Sequence, residues 1–332
     1  MKLATLKDGS RDGQLVVVAR DLKTAAVADG IAPTLQAALD DWSFIAPQLE
    51  QLSQQLNAGR AQRGFAFDSA NCMAPLPRAY QRAVGAAYVH HVALAHQARG
   101  AALPEAFRTD PLMYQGGAGD LLGAQDEIVL AHAEWGIDFD AGLAVITDDV
   151  PMGATPDQAF SQIRLLMLVN GVALRNLVHD ELAKGGGPLQ CLPAMACSPV
   201  ALTPDELDDA WKGGKVHLPL RSSVNGKLVG QPQAGVDMVF NFPQLLAHLV
   251  TTRPARAGAI VGSGPVSNQD AKRGYSCIAE KRYLETIAGA ASLTPFLQFG
   301  DTVRVEMLGA DGKAVFGAIE QTVTRSAPRK PR

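Results

Sequence analysis

Few side chains in this sequence can move protons or hold a metal. The 332 residues include seven histidines: His90, His91, His96, His132, His179, His217 and His248. His91 and His96 are five apart, too far for two ligands aligned at i, i+4 on a helix face, and no H-E-x-x-H occurs. The four cysteines, Cys72, Cys191, Cys197 and Cys277, make no C-x-x-C pair, so a structural zinc site is not expected. A hard cation needs several converging oxygen ligands. Strand alternation in Ile137–Thr147 (IDFDAGLAVIT) puts Asp138, Asp140 and position 142 on one face. Position 142 is glycine, so that face offers Asp138 and Asp140 at most. Asp148 and Asp149 fit a solvated turn. Residues 262–265 (GSGP) lack the Gly-Lys of a phosphate loop, and Gly185, Gly186 and Gly187 read as a flexible turn. No G-x-S-x-G elbow is present, which excludes the ordinary α/β-hydrolase arrangement.

Elements must position these groups. Lys2–Leu6 and residues 14–20 read as strands. Thr34 is a candidate N-cap for a helix over 35–42, and another helix is expected over 47–58. Periodicity fails at 68–78, where two prolines mark a boundary. Residues 83–99 are alanine-rich and predict a helix, and Ile137–Thr147 predicts a strand. A helix runs into a strand over 156–175, and T-P-D-E opens a helix over 203–211. Asn225-Gly226 and Asp311-Gly312 predict hairpin turns, and 242–250 a short helix. Together they predict an α+β fold with a dominant, largely antiparallel sheet system.

Composition narrows the class. Lys+Arg 30 against Asp+Glu 33 gives a net charge of −3, which argues against nucleic acid as a main partner. Hydrophobic residues at 47% supply a real core. No apolar run reaches the ~18 residues of a membrane span, and no signal core is seen, so a cytoplasmic protein without a membrane partner is expected.

Several segments resemble the fumarylacetoacetate hydrolase family, in its bacterial branch with a short N-terminal domain. They are DPLMYQGG, GIDFDAGLAVITDDVPMG, LLMLVNGVALRNL, CSPVALTPDEL and GYSCIAEKR. The resemblance covers nearly the whole chain. It implies a mixed β-roll/β-sandwich C-terminal domain over 79–325, a small α/β N-terminal domain over 1–75, and a frayed tail at 326–332. It also implies a homodimer, or a hetero-oligomer with an intact paralogue. Such proteins cleave or decarboxylate C–C bonds of diketo or oxo acids. They use Mg²⁺ or Ca²⁺ held by four carboxylates, a histidine base helped by a carboxylate, and a lysine.

Carried over residue by residue, the family's histidine lands on His91. Its metal carboxylates land on Val84, Asp140, Gly142 and Gly171, its lysine on Leu192, and the threonine of its late motif on Pro265. A carboxylate that many branch members place shortly after the histidine is Ala93 here. Tyr114, Arg99, Arg175, Asn176 and Glu280 remain at substrate-facing or flanking positions. The resemblance therefore implies His91 and Glu280 as catalytic residues and Tyr114, Arg99 and Arg175 as substrate-binding residues. Asp140 is left as the one weak metal anchor. Val, Gly, Leu and Pro side chains cannot coordinate a hard cation. The leading expectation is a pocket without the family's metal cofactor. It would bind an oxo-acid-like or more apolar ligand, or be repurposed for proton transfer by His90, His91 and Tyr114. The alternative is an active hydrolase or decarboxylase with His91 as base and Asp138, Glu134 or Glu280 as compensating ligands. Val84 and Leu192 should narrow the pocket, and Gly142 and Gly171 should enlarge it.

Overall fold

The structure is a computed structural model that describes residues 1–116, 121–185 and 187–327. The first strands are β1 (Lys2–Leu6), β2 (Gln14–Val18), β3 (Thr24–Val27), β4 (Phe65–Ala66), β5 (Arg82–Gly85) and β6 (Met113–Gln115). Next come β7 (Ile128–Leu130), β8 (Ile137–Thr147), β9 (Ile163–Leu174), β10 (Ala194–Cys197), β11 (Ala201–Leu202), β12 (Trp211–Lys212) and β13 (Lys215–Val216). The last are β14 (Leu220–Val224), β15 (Lys227–Gly230), β16 (Ile260–Pro265), β17 (Thr302–Leu308) and β18 (Ala314–Arg325). The helices are α1 (Leu35–Asp40), α2 (Trp42–Asn57), α3 (Val89–Gln97), α4 (Pro156–Phe160), α5 (Arg175–Leu182), α6 (Phe242–Leu249) and α7 (Ile278–Ile287).

Among the described residues, eleven strands form one sheet, ordered β4-β3-β2-β1-β11-β9-β8-β16-β5-β6 with β10 also on β9. Five more form a second sheet, β15-β14-β17-β18-β7. The pairing is antiparallel apart from β5–β16 and β7–β18, which gives the mixed α/β architecture expected from the sequence.

Strands β8 and β9 are almost continuously apolar because both of their faces are covered. Phe139, Leu143 and Val145 join Leu166 and Leu168 in one core. The alternate residues Ala144 and Ile146 join Leu165, Met167 and Val169 in a second. That second core also contains Leu3, Leu15, Leu35, Leu39 and Leu49, so the N-terminal elements pack on the same face of the sheet. By alternation Asp138 and Asp140 share this face, and Asp140 stands opposite Gly171 in the β8–β9 register.

Local expectations differ from the structure in three places. The alanine-rich segment 83–99 is not one helix: its start is strand β5, paired with Ile260, Val261 and Gly262, and the helix begins at Val89. Strand pairing in the core overrides the helical propensity of alanine there. Thr34 caps α1, accepting from the Ala37 N–H at 3.1 Å, but the next helix starts at Trp42 and carries Pro47 inside it. Residues 204–210 form a kinked 3₁₀ segment instead of an α-helix. The expected cap, Thr203, instead accepts from the Met1 amino group at 2.6 Å, and Asp208 takes a left-handed φ of 44°. Of the expected glycine turn and tail, Gly186 and residues 328–332 lie outside the described residues. Among the described residues no helix is long and apolar enough to cross a membrane.

Candidate functional site

Beyond the second core, the face of β8 and β9 that bears Asp140 and Gly171 opens into a cavity of about 290 Å³. Val84 of β5, Tyr114 of β6, His91 of α3, Asp140 of β8, Gly171 of β9 and Arg175 of α5 all line it. Leu192 and Pro265 complete the set. The topology thus brings together most of the positions to which the resemblance gave chemical roles. Arg99 is not among them: it is exposed just beyond the end of α3 and does not line the cavity. Asn176 turns away and donates to the Glu134 carbonyl at 2.8 Å.

The floor is an ion-pair cluster. Asp138 is fully buried, and its Oδ1 accepts from the Ile278 N–H at 2.7 Å and the Phe139 N–H at 2.9 Å. Its Oδ2 accepts from the Ala279 N–H at 2.9 Å and from Arg175 Nε at 2.9 Å. The carboxylate therefore closes the N-terminus of α7, where unpaired N–H groups and the helix dipole favour an anion. Arg175 also donates through Nη2 to Asp140 Oδ1. Burial works against the charge of Arg175, but Asp140 and Asp138 outweigh it and hold its pKa well above the ordinary value. Burial, helped by Asp138, raises the pKa of Asp140 against the pull of Arg175.

His91 sits beside this floor. Its Nδ1 is 2.9 Å from Glu280 Oε2, and Glu280 is buried on α7. A carboxylate there accepts from Nδ1–H, which leaves Nε2 with its lone pair. Cys277 Sγ lies 3.9 Å from the same nitrogen, and burial together with Asp140 and Asp138 pushes its thiol pKa well up. Burial also raises the pKa of Tyr114, so its hydroxyl is a neutral donor.

At the positions to which the resemblance gave metal ligands, the residues present do not fit a hard cation: Val84 and Gly171 supply no ligand atom, and Asp140 is paired with Arg175. Both oxygens of Asp138 are already hydrogen-bonded, and Glu134 is exposed outside the cavity. Gly142 does not enlarge the cavity as expected. A Cβ there would lie 2.3 Å from the Gly264 carbonyl oxygen and 3.1 Å from Ser263 Oγ, because the β16 bulge fills that space with backbone. At Gly171 a Cβ would come 3.3 Å from the Asp140 Cβ, which is tight but passable. A different group could hold an ion: His91, Cys277 and Glu280 offer ligand atoms within 4.8 Å of one another, as do Asp138, Asp140 and Cys277. With a thiol in each set, both suit a softer metal than Mg²⁺ or Ca²⁺. Cys277 was overlooked in the sequence. Its signal is the spacing C-x-x-E at a helix start, which turns Cys277 and Glu280 toward one side.

Comparison with known proteins bears on the same elements. A curated relative, 2,4-didehydro-3-deoxy-L-rhamnonate hydrolase of Sphingomonas sp. (strain SKA58), is 28% identical over 144 residues, 42% of this chain. The match spans 47% of that protein, so the chain covers about half of its length. Maleylpyruvate hydrolase from Sphingobium sp. SYK-6, solved with manganese(II) and pyruvate, superposes with a TM-score of 0.66 at 14% identity, over 98% of this chain and all (100%) of that one. A 2-hydroxyhepta-2,4-diene-1,7-dioate isomerase from Mycobacterium marinum gives 0.60 at 14% identity, over 99% of this chain and 100% of that one. At such identities the likeness establishes the fold. The family description "Fumarylacetoacetase N-terminal domain 2" matches residues 1–78. "Fumarylacetoacetate (FAA) hydrolase C-terminal" matches residues 81–324, and with that the chain belongs to the fumarylacetoacetate hydrolase family.

Proposed function

We propose that this protein binds a small carbonyl compound in the His91–Arg175 cavity and moves a proton on it without the family's hard divalent cation. The observation that carries the reading is the Arg175 guanidinium between Asp138 and Asp140. The one carboxylate left at a family metal position already has a cationic partner. His91 Nε2 would take a proton from carbon next to a carbonyl, and the C–H electron pair would form the enolate. Tyr114 or Arg175 would hydrogen-bond the developing oxyanion, and return of the proton to another carbon would give an isomer.

A test uses NMR exchange of the acidic CH₂ protons of a diketone in deuterated buffer after chelation. Exchange should persist without metal, and His91→Gln should slow it ~10²–10⁴-fold, the usual contribution of a general base. Exchange that needs about one bound ion per chain overturns the proposal.

A second reading rests on the His91–Cys277–Glu280 group. If a transition metal sits there, the protein is a metal-dependent hydrolase or decarboxylase with displaced ligands. Zinc or manganese titration that saturates near one per chain, and is lost in Cys277→Ala, supports it. No uptake removes it.

A further inference from the structure

We infer that the ligand of this cavity is an uncharged, largely apolar carbonyl compound, not a carboxylate-bearing oxo acid. The inference rests on the metal-independent reading above and names the ligand class for the same site.

The first argument is charge. Each positive group in the cavity wall is already matched. Arg175 donates from Nε to Asp138 at 2.9 Å and from Nη2 to Asp140. His91 faces Glu280 at 2.9 Å. Position 192 is leucine, and Arg82 on β5 does not line the cavity. An entering carboxylate would leave water for a wall that holds the Asp140 carboxyl and no unmatched cation among its lining residues, which is strongly unfavourable.

The second argument is surface. Val84, Val169, Val178, Leu192 and Met195 form the inner wall. At the mouth Leu112 is 51% exposed and Leu182 48% exposed, and both line the same cavity. An apolar body entering past them would cover surface that is otherwise left in water.

The third argument is what remains for a neutral oxygen. Arg175 Nη1 and the Tyr114 hydroxyl make no hydrogen bond to protein among the described residues. Two donors without a matching net charge suit a ketone or enol oxygen better than a carboxylate.

The experiment compares benzoylacetone with benzoylpyruvate by calorimetry on the chelated 332-residue protein. The two share a phenyl 1,3-diketone and differ only in what the second ketone carries, a methyl group or a carboxylate. Benzoylacetone should bind ~10-fold or more tightly than benzoylpyruvate, a gap of ~1.4 kcal/mol. Equal or tighter binding of benzoylpyruvate overturns the inference, and so does binding of neither at millimolar concentration. Leu192→Lys supplies the missing cation. It should raise benzoylpyruvate affinity several-fold and spare benzoylacetone; no gain for the anion counts against the charge argument. Repeating the titrations with Mg²⁺, Mn²⁺ and Zn²⁺ separates the two claims. Benzoylpyruvate that wins only with metal overturns the metal-independent reading as well. Benzoylpyruvate that wins regardless of metal overturns the ligand class alone.

Discussion

Asp138 is the residue on which the site depends most, although it touches the cavity only through others. It holds the start of α7, which carries Cys277 at its cap and Glu280 in its first turn, and it orients Arg175. Asp138→Ala leaves Arg175 Nε and two helix N–H groups unsatisfied in a buried place. The expected loss is ~3–5 kcal/mol of stability in urea unfolding, the usual result of removing one member of a buried pair. Thiol reactivity is a second check. Burial pushes Cys72, Cys191 and Cys197 up to about 12, so the native protein should react slowly with thiol reagents near neutral pH and rapidly once unfolded. At this scale the sequence singles out His91, Tyr114, Asp140, Arg175 and Glu280, and the structure gathers the first four around one cavity with Glu280 beside His91. The hydrogen bonds that Asp138 accepts were not legible, since nothing local shows that the far-off Ile278 and Ala279 donate to it. Arg99 was misplaced because a helix end can turn a side chain out to solvent with no change in sequence pattern.

A side chain of α5 ties down the cavity wall between α5 and β10. Glu181 accepts from the Gln190 N–H at 2.7 Å and the Cys191 N–H at 3.0 Å, closing the loop that carries Pro188, Cys191 and Leu192. Hydrogen bonds from the Cys191 thiol, the Gln190 N–H and the Cys191 N–H lower its pKa to about 2 from an ordinary 4.5. A depressed folded pKa means that this stabilisation is complete above the unfolded value and lost as pH falls through the folded one. Amide exchange in residues 187–193 should therefore accelerate as pH drops from ~4.5 toward ~2, after correction for intrinsic rates. Glu181→Gln should show faster exchange there already at pH 7. The strand half of the site, β8 and β9, was legible from its apolar runs, but β5 was not. Its sequence RAVG opens an alanine-rich run that reads as helix, and its pairing with β16 makes it a strand.

The N-terminal unit and the remainder share a sheet and a core. β1 pairs with β11, and Leu35, Leu39 and Leu49 pack in one cluster with Ile146, Leu165 and Met167. The boundary near 68–78 is a sequence boundary more than a mechanical one. A chain lacking residues 1–75 should expose this face of β8 and β9 and aggregate, and the full chain should unfold in one urea transition seen alike by fluorescence and circular dichroism. Two separate transitions would contradict this. The shared face was not legible beforehand, because the run IDFDAGLAVIT shows that both sides are covered but not by what. The β16 bulge has a further consequence, for reversibility. Val84→Asp and Gly171→Asp are each one step that the cavity has room to accept, but Gly142→Glu meets the Gly264 carbonyl. The Gly264 backbone is itself confined, since it holds φ +71° and a Cβ added there would lie 2.8 Å from the Gly85 oxygen. A four-carboxylate chelate at these positions would therefore take more than single substitutions. The backbone of one strand would have to be rerouted before a carboxylate on its neighbour could fit.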